Sequence, residues 1–107
     1  MEVKITVNKN TLIAAPAGEI DHHSAAAVRK QIDDAYEESR CTDIVFDMNR
    51  VEFMDSSGIG MMIGRCKNMD FTGGEVRAEH MNGRIRKIFL LSGLHKMVKI
   101  EEGGEEE

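Results

Sequence analysis

Residues 43–65 read DIVFDMNRVEFMDSSGIGMMIGR. The first six, Asp43 to Met48, form a short, almost continuous apolar run between polar groups, the pattern of a strand covered on both faces and therefore central in its sheet. A short link follows. From Ser56 to about Met69 apolar residues recur at helical spacing, with Ile59, Met62, Ile63, Cys66 and Met69 making one stripe, which predicts a helix. Winding at about 3.6 residues per turn gathers Ser57, Met61, Gly64 and Asn68 on the outward side. Open sheets place their sites beyond the carboxyl ends of the strands, so function is expected at the first turn of this helix, Asp55, Ser56, Ser57 and Gly58.

Moving toward the amino terminus, Ala25, Val28, Ile32, Ala35 and Tyr36 recur three to four apart between Ser24 and about Arg40, opposite Arg29, Lys30, Asp33, Asp34, Glu37 and Glu38, which predicts an amphipathic helix. Before it, TLIAAPAGEI (residues 11–20) is apolar enough for a strand, but Pro16 must then lie at an edge, an end or a bulge. Pairing is expected to resume around Gly18 to Ile20. VKITV (residues 3–7) alternates as a half-buried strand does and is expected at the sheet edge. Toward the carboxyl terminus, Gly73 and Gly74 make a turn and EVRAEH (residues 75–80) a strand. A third helix starts on Asn82 as N-cap, runs through Ile85, Ile88 and Phe89, and stops at Gly93, with a short strand or helix end at Met97 to Ile100. Strands joined by single helices favour a largely parallel α/β sheet of four or five strands, packed with three or four helices.

A chain of 107 residues suits one domain. Five of its 19 acids stand in residues 101–107, EEGGEEE, leaving residues 1–100 with equal numbers of acids and bases. The expectation is a folded domain over 1–100 and an acidic disordered tail over 101–107. With no basic excess, nucleic acid is not an expected partner. The start, MEVKITVNKN, has no run of signal-peptide length and no stretch is apolar enough to span a bilayer, so a cytoplasmic protein without a membrane partner is expected. Cys41 and Cys66 lack metal or redox spacing and read as reduced packing residues.

On local propensity alone, Asp55 or Ser56 is an N-cap and Ser57 an ordinary helix residue. The same position suits a switch. Free N–H groups at a helix start favour a negative group by about 0.3–1 kcal/mol when exposed, so the fold tolerates a phosphate on Ser57. A partner facing that surface would meet an added charge of roughly -1.5 to -2.

GEIDHHSA (residues 18–25), FMDSSGIG (53–60), IGR (63–65) and LLSGLHKM (90–97) stand in the order and spacing of anti-sigma factor antagonists of the STAS domain family. The chain resembles that family over nearly its whole length, most closely the sporulation-type members, and the resemblance implies a STAS-like fold. It also implies that the unphosphorylated form binds an anti-sigma factor serine kinase and so frees a sigma factor. Phosphorylation of Ser57, the second serine of the Ser-Ser-Gly run, by that kinase would end the binding, and a metal-dependent serine phosphatase would restore it. Asp21 is implied to lie beside this serine and to take part in kinase recognition. Ser24 stands where the family often has threonine, and Met61-Met62 where smaller or branched residues are usual. The expected partner surface is Asp21, Ser24, Ser56, Ser57, Gly58, Met61 and Gly64.

No catalytic role, cofactor or metal is expected. Asp21, His22, His23 and Ser57 have the residue types of a nucleophilic triad, yet the G-x-S-x-G elbow is absent. Adjacent His22 and His23 make poor shared metal ligation. Gly58, Gly60 and Gly64 match neither phosphate-loop pattern and read as points of close backbone approach. The competing reading is a STAS docking module of another stress or signalling complex that is not itself phosphorylated.

Overall fold

A computed structural model of the chain describes residues 2–101. The strand expected at the centre is central: β4 (Asp43–Asp47) is the third of five strands, with Ile44, Val45 and Phe46 all buried. The edge strand β1 (Val3–Asn8) pairs antiparallel with β2 (Thr11–Pro16), which lies parallel to β4. On the other side β6 (Val76–Glu79) lies parallel to β4, and β7 (Lys99–Glu101) parallel to β6. Pro16 is the last residue of β2, where its missing N–H costs no ladder bond. The tail expected from residue 101 lies, from 102 onward, outside the described residues, and Glu101 closes β7.

The link between β4 and the second helix differs from expectation. Val51–Met54 is a strand, β5, paired in parallel with the three-residue β3 (Gly18–Ile20) in a small sheet of its own. Its ends, Val51 and Met54, are buried while Glu52 and Phe53 face out, so it lacks the two-residue alternation by which strands are read from sequence. Of the flanking helices, α1 spans Ala25–Ser39 and buries Ala25, Val28 and Ile32. The helix of the central motif, α2, spans Ser56–Thr72, and α3 spans Gly83–Ser92. As expected, Asn82 Oδ1 caps α3 by accepting from Ile85 N–H at 2.8 Å, and Gly93 ends it at φ 80°, a left-handed conformation that glycine adopts without a Cβ penalty. A 3-10 turn, Leu94–Lys96, leads into β7.

The core joins sheet and helices through Leu12, Ile20, Ile32, Phe46, Met62 and Phe89, all fully buried. Cys41 and Cys66 are both buried, and neither is in a disulfide. No helix among the described residues is long and apolar enough to cross a membrane.

Candidate functional site

The small sheet sets the site. Ile20 of β3 pairs with Met54 of β5, and both strands end there side by side. The residue after each strand is an aspartate, Asp21 after β3 and Asp55 after β5, and Asp55 N–H donates to Ile20 C=O at 3.1 Å. Two loops are thereby fastened together, one entering α1 and the other α2.

Asp55 is the N-cap of α2. Its Oδ1 accepts from Ser57 N–H at 2.8 Å and from Gly58 N–H at 3.4 Å, satisfying two donors that the helix leaves without intrahelical partners. Gly58 is needed for packing. A Cβ on it would collide with Met54 Cγ and stand 3.0 Å from Ile20 Cγ2, so the bare backbone lets α2 press on the ends of β3 and β5. Ser56 is exposed and Ser57 half-buried, and no described residue is hydrogen-bonded to the Ser57 hydroxyl.

Asp21 builds the second wall. Its Oδ1 accepts from the backbone N–H of His23 at 2.9 Å and of Ser24 at 3.1 Å. Ser24 Oγ accepts in return from Asp21 N–H at 3.0 Å and shares its one proton between Glu19 C=O at 3.0 Å and Asp21 Oδ1 at 3.2 Å. This reciprocal turn locks the entry to α1. Burial works to raise the Asp21 pKa, but the His23 and Ser24 N–H groups and the Ser24 hydroxyl outweigh it and hold the carboxyl below its ordinary 3.8. The Ser24 hydroxyl therefore fixes the Asp21 turn and makes no side-chain cap on α1.

Of the residues expected on the partner surface, Asp21, Ser24, Ser56, Ser57 and Gly58 come together at the joined strand ends. Gly64 lies two turns along α2, half-exposed, with open space where a side chain would stand. The same holds at Gly60, so only Gly58 of the three glycines allows a close approach within the domain. Met61 is corrected: at 6% exposure it belongs to the core, not to the outward side. The helix turns Gly58, Met62, Arg65 and Met69 inward, and Met61 falls on the inward flank of that line. Conversely Ile59 and Ile63, read as part of the inner stripe, are half-buried.

Arg65 escaped the sequence reading altogether. It is 6% exposed, with Nε 3.1 Å from Asp33 Oδ1 on α1. That distance makes an ion pair, yet the N–H misses hydrogen-bond alignment, and Nη1 is buried without a hydrogen-bond partner among the described residues. Burial lowers the guanidinium pKa, and the Asp33 carboxylate offsets this in part. An arginine at an inward helical position has no sequence signal distinguishing it from a surface one.

The His22 and His23 rings lie against each other tilted by 38°, with centroids 4.0 Å apart, and no group of three His, Cys, Asp or Glu able to hold a metal ion occurs among the described residues. The site offers a hydroxyl, a fixed carboxylate and open backbone. These elements suit recognition by another protein.

The model of the STAS domain matches residues 2–106. An anti-sigma F factor antagonist of Paenibacillus polymyxa is 34% identical over 100 residues, covering 94% of this chain and 86% of that protein. Among solved structures, the anti-sigma factor antagonist SpoIIAA in its unphosphorylated form is similar with a TM-score of 0.70 and 28% identity, over 84% of this chain and 83% of that one. The Bacillus cell fate determinant SpoIIAA in its phosphorylated form is similar with a TM-score of 0.71 and 29% identity, over 94% and 91%. The chain spans most of each relative, and the matched segment takes in both the Asp21 turn and the start of α2. It belongs to the STAS domain family, among the anti-sigma factor antagonists.

Proposed function

We propose that this chain, unphosphorylated, binds an anti-sigma factor through the start of α2 and the Asp21–Ser24 turn, releasing a sigma factor, and that phosphorylation of Ser57 ends the binding. The anti-sigma factor itself acts as the serine kinase, and a serine phosphatase restores the binding form. The chain is a regulator and not an enzyme, and it works in the cytoplasm.

The observation that carries this reading is the position of Ser57 in the first turn of α2, on a helix start already anchored by Asp55. With the Ser57 and Gly58 N–H groups fixed by the cap, the helix keeps its start when charge is added to the hydroxyl, and the helix dipole favours that charge. A partner seated on the same turn gains only repulsion. SpoIIAA has solved structures in both forms, and their equal similarity to this chain supports a modification that leaves the domain fold intact.

The test is a kinase reaction with the anti-sigma factor and ATP, followed by peptide mass mapping. Phosphate is expected on Ser57 and lost in Ser57→Ala. Phosphate confined to Ser56, or labelling undiminished in Ser57→Ala, overturns the assignment.

A further inference from the structure

The five-stranded sheet ends in two unlike edges. β7 has three residues, two of them the charged Lys99 and Glu101, the short charged form in which edge strands resist further pairing. β1 has six residues, no proline and Lys4 as its only charge, and no described strand pairs with its outer side.

The register shows which main-chain groups that outer side offers. Pro16, which has no N–H, stands opposite Val3, while Ala17 N–H donates to Glu2 C=O at 3.3 Å. Bonded and non-bonded positions alternate along an antiparallel pair, so Lys4, Thr6 and Asn8 exchange bonds with β2, and Val3, Ile5 and Val7 turn both N–H and C=O outward. The side chains of these three lie on the core side of the sheet, Val3 within the core, Ile5 packed against it and Val7 50% exposed. Lys4 and Thr6 are exposed on the opposite face.

We propose that a second copy of the chain pairs with this edge, β1 against β1 in antiparallel about a two-fold axis at Ile5, so that two sheets join into one. The strand is complementary to itself in this register. Ile5 then stands opposite Ile5, and Val3 opposite Val7, so all three outward residues form bonds and the exposed Val7 is covered. The register centred on Lys4 would set two lysines face to face, and the one centred on Thr6 would carry Val3 past the strand to Lys9 of the turn. With the axis at Ile5, each Lys4 faces Thr6 of the other copy. Residues 1–100 hold equal numbers of acids and bases, so the folded bodies do not repel strongly. Lys4 also borders a shallow cavity with Asp47 and Arg50, which leaves the main-chain bonds to carry most of the affinity. Since α1 packs on β1 as well as on β2, the pairing also brings the two α1 helices alongside each other. One strand pair buries less than the roughly 1,200 Å² of a stable complex, so the dimer is expected to be weak and reversible. It shares no residue with the Asp21–Ser57 site and would present two such sites at once.

The test is sedimentation equilibrium of the full chain from micromolar to millimolar concentration, where a reversible monomer–dimer equilibrium is expected. Thr6→Lys sets two lysine pairs across the axis and should weaken the dimer roughly tenfold. Thr6→Glu faces each Lys4 with a carboxylate and should tighten it severalfold, although it makes the chain more acidic overall. Val7→Pro removes an outward N–H that bonds nothing in the single domain and should abolish dimerisation. Thr6 is exposed in the single domain, so unchanged thermal unfolding confirms that its variants are folded. A chain that stays monomeric throughout overturns the proposal. So does a dimer that responds alike to Thr6→Lys and Thr6→Glu, or one that survives Val7→Pro, since its contact would lie elsewhere.

Discussion

At the start of α2 the Asp55 side chain fixes the backbone beneath Ser57, the proposed acceptor of phosphate. Gly58 enforces the arrangement, because α2 meets Met54 and Ile20 at a distance that excludes a Cβ. Gly58→Ala is therefore expected to destabilise the domain by about 1–3 kcal/mol through overpacking, read by chemical denaturation. The same variant should also weaken partner binding by displacing Ser57. Wild-type stability in Gly58→Ala would show that the contact yields freely. The roles of Asn82 and Gly93 were legible in the sequence because capping is local chemistry. Gly58 was read together with Gly60 and Gly64 as a point of close approach, and the sequence could not single it out because what it approaches depends on β3 and β5, whose pairing is not local.

Along α2 the boundary between core and surface runs through adjacent residues. Met61 and Gly64 were read as one outward face, and the fold separates them. Met61→Ala is expected to cost about 2–4 kcal/mol of stability as a core truncation. Gly64→Arg should leave stability unchanged or raise it by up to about 1 kcal/mol, since the site is open and arginine is the better helix former. If Gly64 belongs to the partner surface, that folded variant loses binding. Calorimetric titration together with thermal unfolding separates the two cases, and undiminished binding by Gly64→Arg removes the residue from the interface. Helical periodicity located α2 but misplaced its face, because two adjacent methionines leave the phase open and Arg65 occupies an inward position that apolar patterning cannot assign. The pair Arg65–Asp33 joins α2 to α1. Removing the carboxylate in Asp33→Ala strands a buried cation, at an expected cost of about 1–2 kcal/mol. This is below the roughly 3–5 kcal/mol typical of a fully buried pair, because the Asp33 side chain is 37% exposed. A neutral effect in denaturant titration would show that Arg65 finds another partner.

At the scale of the molecule, a parallel sheet brings segments distant in sequence to one end, as β3 and β5 bring Asp21 to Asp55. The central β4, the edge β1 and the flanking helices were legible from apolar pattern alone. Of the small second sheet, β3 was expected as renewed pairing around Gly18 to Ile20, but its partner β5 was not, since its four residues lack the alternation by which a strand registers. The site was legible as a place, the helix start after the central motif. Its specific role came from the resemblance to the antagonists and not from periodicity. In the proposed function the domain is a rigid carrier whose binding is cancelled by one charge at Ser57. Calorimetric titration of the ADP-loaded anti-sigma kinase with the unphosphorylated and the Ser57-phosphorylated chain tests this most directly, with thermal unfolding recorded for both. The account predicts affinity weakened at least roughly tenfold, about 1.4 kcal/mol, with the unfolding midpoint nearly unchanged. Equal affinity of the two forms would contradict it.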